Sequence, residues 1–144
     1  MVNGYSISDK KELLNISVIH HFLTNSYWAK NIPIEIVQCS IDNSFCVGVY
    51  DETGSQVAFA RLITDFATFA YLGDVFVLEA HRGKGLSKWI VQFITEHPLF
   101  LGLRRIMLVT ADAHGLYQQF GFTPITQAEN YLCIHRPNIY SINQ

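Results

Sequence analysis

The sequence is poor in cysteine, in charge and in long apolar runs. Cys39, Cys46 and Cys133 are odd in number, far apart and without a C-x-x-C pair, which excludes a disulfide framework and a zinc knuckle and fits a reducing cytoplasm. Charged residues make up only 15% of the chain, ten Lys and Arg against twelve Asp and Glu. Beyond the pair Arg104 and Arg105 no segment gathers basic residues, so a nucleic-acid footprint is not expected. No run approaches the ~20 apolar residues of a membrane span. Residues 1–14 carry Asp9, Lys10, Lys11 and Glu12 where a signal peptide needs its apolar stretch. The four prolines are scattered, and neither a repeat nor a low-complexity segment marks a domain boundary.

What the chain does have is apolar material: 49% hydrophobic and 13% aromatic residues in 144 positions. A chain of this size buries roughly 70% of the surface its unfolded form exposes, which excludes disorder. The expectation is one domain over residues 1–144 with its core at about 5–136.

Periodicity gives the order of elements. A short strand at 5–8 precedes a helix over 15–25, where Ile16, Ile19, Phe22 and Leu23 recur at helical spacing. Pro33 then opens a second helix that runs to about 42. Two strand-like runs, 45–50 and 57–63, flank the turn Asp51-Glu52-Thr53-Gly54-Ser55 as a hairpin. A third run over 67–78 is rich in aromatic and β-branched residues. After His81-Arg82-Gly83-Lys84-Gly85 comes a helix with Leu86, Ile90, Phe93 and Ile94 on one face, stopped by His97-Pro98. A strand at 105–110, a helix at 114–120 ended by Gly121 and a last strand at 131–136 complete the pattern. The fold class is mixed α/β (α+β), antiparallel in its first half, with one β-α-β crossover in its second.

The densest chemistry lies in Val77-Leu78-Glu79-Ala80-His81-Arg82-Gly83-Lys84-Gly85-Leu86-Ser87. Two glycines one residue apart let the backbone turn sharply from strand into helix, and the first amides of that helix point outward without intrahelical partners. Those amides, the helix dipole, Arg82 and Lys84 suit a pyrophosphate. A plain strand-to-helix turn would read the same way from G-x-G alone. No G-K-[ST] follows at P-loop spacing, and Lys88 stands where a dinucleotide fingerprint needs its third glycine.

About thirty residues downstream runs Thr110-Ala111-Asp112-Ala113-His114-Gly115-Leu116-Tyr117-Gln118-Gln119-Phe120-Gly121-Phe122. Together the two segments resemble the GNAT superfamily of N-acetyltransferases, whose loop is written Q/R-x-x-G-x-G/A and whose later helix reads L-Y-x-x-x-G-F. The resemblance spans about residues 5–136. It implies a mostly antiparallel sheet flanked by helices around a β-α-β acetyl-CoA-binding core. It also implies backbone contacts from Val77, Leu78 and Glu79 to the pantetheine arm, and a pyrophosphate cradle from Arg82, Gly83, Lys84, Gly85, Leu86 and Ser87. Tyr117 falls on the family's general acid, which protonates the departing thiolate; a plain core-packing tyrosine is the alternative. Ala80 replaces the usual Gln or Arg of the loop, and Thr110 stands where many members have Asn.

The acceptor side calls for a carboxylate to hold an amine and help remove its proton. Asp74, on one strand face with Phe76 and Leu78, is the first candidate, with an ion pair to Arg61 as the plainer role. Asp65, which also suits a turn cap, and Glu79 are the others. Tyr27, Trp28, Phe66, Phe69 and Tyr71 offer either an aromatic wall or ordinary core. His20 and His21 point in different directions on a helix and do not suggest a metal site; His114 suits a proton shuttle or a cap.

The expectation is a cytoplasmic acetyl-CoA-dependent N-acetyltransferase that acts by direct transfer to a primary amine, with a small-molecule acceptor and no metal. The chain would be a monomer or homodimer, with neither a nucleic acid nor a membrane as partner. A non-catalytic acyl-CoA-binding regulatory module and a protein lysine or N-terminal acetyltransferase stay open as alternatives.

Overall fold

The computed structural model describes residues 1–142, and its elements follow the apolar pattern closely. Five strands, β1 (Tyr5–Ser8), β2 (Phe45–Asp51), β3 (Gln56–Thr64), β4 (Phe69–Val77) and β5 (Arg105–Leu108), lie side by side in chain order. β1 to β4 pair antiparallel, whereas β4 and β5 are parallel and joined by a crossover through α3 (Leu86–Thr95). β2 is apolar at nearly every position because both of its faces are covered. Val47 and Val49 face the layer that contains Leu86, Ile90 and Ile94 of α3. Cys46 faces the other layer, with Ile19 and Leu23 of α1 (Ile16–Thr24) and Val37 and Ile41 of α2 (Ile34–Asp42).

Local chemistry sets the boundaries. Asn15 caps α1 by accepting from the amides of Ser17 and Val18. The run expected from 67 begins only at Phe69, because Asp65 Oδ1 gathers the amides of Ala67, Thr68 and Phe69 into a tight turn. β5 stops at Leu108 rather than 110: the Thr110 hydroxyl accepts from the Ala113 amide and turns the chain into α4 (His114–Gln118), which ends toward Gly121 at φ 91°.

The last expected strand, 131–136, is corrected: the segment pairs with no strand among the described residues. It is held outside the sheet at both ends. Tyr131 lies under the Arg105 guanidinium, 5.6 Å from its ring centre, and the Ser141 hydroxyl accepts from Asn31. Between these anchors Leu132 and Ile134 are 94% and 83% exposed.

Candidate active site

β4 and β5 pair from Phe69↔Arg105 to Leu72↔Leu108 and then part, so the stretch from Gly73 to Val77 has no partner on its β5 side. Leu78 donates its amide to Val57 on the β3 side at 2.8 Å. Strand alternation therefore turns the Val77 N–H and carbonyl toward the opening. The Val77 carbonyl already accepts from Arg82 Nε at 3.0 Å. Of the backbone groups expected to meet a pantetheine arm, the Val77 N–H is directed into the opening, whereas the Leu78 amide is committed to the sheet.

Past Val77 the chain makes one 3-10 turn, Glu79–His81, and swings through Gly83 and Gly85 at φ 76° and 81°. These left-handed angles are the reason for glycine here, and a Cβ at either position would meet open space rather than protein. α3 begins without a side-chain cap, and its first intrahelical acceptor, the Gly85 carbonyl, is taken by Trp89. The amides of Leu86, Ser87 and Lys88 therefore face outward at the positive end of the helix. A cavity of about 130 Å³ lies against Val77, Arg82, Gly83, Gly85, Leu86 and Ser87, together with His81 and Lys88. An uncapped helix start, a backbone clear of side chains and flanking cations fit the pyrophosphate of a coenzyme A thioester. One support was not visible in the sequence: Tyr5 of β1 bonds His81 Nδ1 at 2.9 Å and accepts from Lys84 Nζ at 3.1 Å, tying the loop to the first strand.

Asp74 sits at a register break in β4, at φ 55°, with both carboxylate oxygens engaged. Oδ2 accepts from Arg61 Nε at 2.8 Å, Oδ1 accepts from Trp28 Nε1 at 2.9 Å, and Arg61 reaches on to the Ser44 hydroxyl. The ion pair weighed as the plainer role for Asp74 is thus present. Tyr71 faces the same pair, and burial, reinforced by the Asp74 charge, pushes its phenol pKa up. Trp28 continues into an aromatic surface through Phe22, which stacks on Phe76 at 4.1 Å, and through the exposed Tyr27. Arg61 is the ion-pair partner expected for Asp74, whereas nothing in the sequence marked Phe22 or Ser44 for this cluster.

Asp65 is not part of this group. It is spent on its turn, and the hydrogen bonds of Thr68, Ala67 and Phe69 hold its carboxyl far below the usual range. Phe66 packs beside Phe45 and Phe100 instead of the Trp28 surface. Tyr117 is 8% exposed, its ring edge-on to Phe122, and it lines a groove of about 870 Å³ along the outer edge of β5, with His114 and Thr110. Burial raises its phenol pKa, and the charge of Asp112 adds to the shift. A protonated phenol at neutral pH is a proton donor. Its ring is core, as the plainer reading has it, and the residue lines the groove beside β5.

The sequence model of the Acetyltransferase (GNAT) family matches residues 15–122. A Gibberella zeae protein named "Putative acetyltransferase FG08082" is 31% identical over 133 residues, covering 78% of this chain and 75% of that protein. A crystal structure from Xanthomonas campestris pv. campestris, a GNAT-family acetyltransferase with the same qualifier in its name, is 47% identical. It superposes with a TM-score of 0.94 over 98% of this chain and 99% of that one. Glucosamine-6-phosphate N-acetyltransferase from Arabidopsis thaliana, at 18% identity and a TM-score of 0.61 over 92% and 97% of the two chains, shares the fold. The parted strands, the glycine turn and these matches agree, and the chain belongs to the GNAT acetyltransferase family.

Proposed function

We propose that this chain is an N-acetyltransferase that moves an acetyl group from acetyl-CoA directly to a primary amine of a small molecule in a ternary complex. The observation that carries the reading is the conjunction of the β4–β5 opening with the uncapped start of α3, which together offer backbone donors along a thioester's arm and at its pyrophosphate. Val77, Leu78 and Glu79 border the arm. Arg82, Gly83, Lys84, Gly85, Leu86 and Ser87 surround the phosphates.

In the reaction, the amine nitrogen attacks the thioester carbonyl carbon, the C–S bond breaks, and the thiolate takes the Tyr117 phenol proton. The amine's own proton leaves through water. Asp74, fixed by Arg61 and Trp28, places negative charge beside the aromatic surface of Tyr27, Trp28 and Tyr71, where a cationic amine is attracted before it loses its proton. A small acceptor suits a mildly acidic chain, net charge −2, whose first half is rich in aromatic residues. Free Cys39, Cys46 and Cys133 suit a reducing cytoplasm. We treat residues 1–144 as one catalytic domain.

The test is calorimetric titration with acetyl-CoA, followed by an amine-library screen for thiol release. Wild type binds and turns over with at least one amine. The variant Gly85→Val, which forces a β-branched residue to φ 81°, stays folded and loses binding. Wild-type affinity in Gly85→Val rejects the cradle, and binding without turnover on any amine supports a non-catalytic acyl-CoA module instead.

A further inference from the structure

We propose that Tyr5 is a positioning residue for the phosphate cradle, ordering Lys84 and His81 through one hydrogen-bond relay so that both meet the pyrophosphate as donors. The inference rests on the reading of residues 82–87 as the pyrophosphate site. Tyr5 stands on β1, opposite Asp51 of β2, and is 76 and 79 positions away from His81 and Lys84. Its hydroxyl lies 2.9 Å from His81 Nδ1 and 3.1 Å from Lys84 Nζ. An ammonium group only donates, whereas a phenol has one proton and accepts through its oxygen. The arrangement in which the Lys84 donor and the phenol proton both find an acceptor therefore runs one way, from Lys84 Nζ to the Tyr5 oxygen and from the Tyr5 O–H to His81 Nδ1. Nδ1 is the accepting nitrogen, and the ring proton of His81 sits on Nε2.

The consequence falls on the cavity. His81 borders it, and its Nε2–H has no partner among the described residues. The Tyr5 bond takes one of the three ammonium protons of Lys84 and leaves the others for a ligand. Lysine is among the side chains with the most rotamer freedom to lose, so a tether already present in the fold lowers the cost of ordering it on a phosphate. Arg82 is held in the same manner, its Nε donating to the Val77 carbonyl at 3.0 Å. One cation of the loop is thus anchored by β4 and the other by β1. The Tyr5 and His81 rings also meet edge to face at 5.8 Å, and Lys84 Nζ lies 5.7 Å from the Tyr5 ring centre. Packing at Tyr5 and the relay through its hydroxyl are therefore separable, because Phe keeps the first and deletes the second.

Ring-nitrogen spectroscopy and calorimetry on Tyr5→Phe test the relay. In wild type, above neutral pH and without any cofactor, the nitrogen resonances of His81 are expected to place the ring proton on Nε2 and an accepted hydrogen bond at Nδ1. In Tyr5→Phe the Nδ1 resonance is expected to move to that of an unbonded ring nitrogen. The Kd for acetyl-CoA is expected to rise about tenfold in Tyr5→Phe, the scale of one lost charge-assisted hydrogen bond, with an unchanged urea midpoint. Coenzyme A is expected to lose the same factor, because its pyrophosphate is the same. His81→Leu is expected to weaken binding similarly, and His81→Gln, which returns an N–H near the place of Nε2, to recover most of the loss. A wild-type ring proton on Nδ1 overturns the relay. Where wild type binds, undiminished affinity in Tyr5→Phe, a loss confined to the acetylated form, a loss matched by a lower urea midpoint, or His81→Gln no tighter than His81→Leu overturns the positioning role alone. Wild type that binds neither acetyl-CoA nor coenzyme A overturns the pyrophosphate reading and the inference with it. Should Tyr5→Phe lose its circular dichroism, the two His81 variants carry the test.

Discussion

The indole of Trp28 donates to Asp74 Oδ1 at 2.9 Å across 46 positions of sequence, and the same carboxylate holds Arg61 with its other oxygen at 2.8 Å. The loop between α1 and α2 is thereby pinned to the middle of β4. A change at Asp74 reaches both the charge of the proposed acceptor side and the position of the aromatic surface beside it.

Asp74→Asn keeps an oxygen for the indole and a residue type that tolerates φ 55°, while removing the charge opposite Arg61. Affinity for acetyl-CoA is expected to stay within twofold. kcat/KM for a verified amine is expected to fall about tenfold or more, the loss of a charged hydrogen bond of about 1.5 kcal/mol. Steady-state kinetics with both substrates varied check this, and unchanged acceptor kinetics would transfer the role to water or to Glu79.

Tyr117→Phe retains the ring packed on Phe122 and deletes the phenol proposed as the proton donor. kcat is expected to fall about 10²-fold with little change in acetyl-CoA affinity. The fall is smaller for an acyl donor whose thiol leaves as a more stable anion. Since burial raises the phenol pKa, any loss of activity from Tyr117 ionisation lies above pH 10. Wild-type turnover in the Phe variant, measured where chemistry limits the rate, leaves Tyr117 as a packing residue.

Tyr50 lies with its ring over Gly48, and its buried hydroxyl has no hydrogen-bond partner among the described residues. Tyr50→Phe is expected to be neutral or to stabilise by up to about 1 kcal/mol, because a desolvated, unpaired group is removed. Gly48→Ala drives a Cβ onto the phenol oxygen and to 2.8 Å from Cζ, at a cost of about 1–3 kcal/mol. The double variant is expected to recover part of that cost, since Cζ remains in place. Urea unfolding of the three variants measures the cycle.

Burial pushes the Cys46 thiol up from 9.0 to about 11, and it pushes the Tyr50 phenol up from 10.0 to about 12. The unfolded chain gives up these protons first, so stability is complete below pH 9 and falls as pH rises toward 11 and 12. Each group steepens the fall by about 1.4 kcal/mol per pH unit within its own window. Urea midpoints between pH 8 and 11 are expected to drop for wild type and to drop less steeply for Cys46→Ala.

What the sequence revealed was what neighbouring residues decide among themselves. Gly83 and Gly85 demand a left-handed turn wherever the chain goes afterwards, and the apolar spacing of Leu86, Ile90 and Ile94 fixes α3 and its buried face. The hairpin between β2 and β3 is local in the same sense. What stayed hidden depends on chain segments that meet only after folding: Trp28 on Asp74, Arg61 on Ser44, and Tyr5 on Lys84. None of these pairs has a spacing that local periodicity could register. Residues 131–136 show another limit, because alternation describes an extended chain equally well with or without a neighbour. Asp65 and Asp74 are the same residue type within one stretch, and only their partners separate a turn cap from the carboxylate that holds Arg61.

The opening between β4 and β5 is fixed by the point at which a ladder of backbone bonds ends, at Leu72 and Leu108. The point at which it begins is therefore set by backbone pairing. On the proposed reading, substitutions at Tyr71 or Tyr27 would change which amine is welcomed and leave in place the pairing that opens the slot. On that reading, a lineage built on this sheet is free to exchange acceptors one residue at a time, inheriting the donor half of the proposed reaction intact.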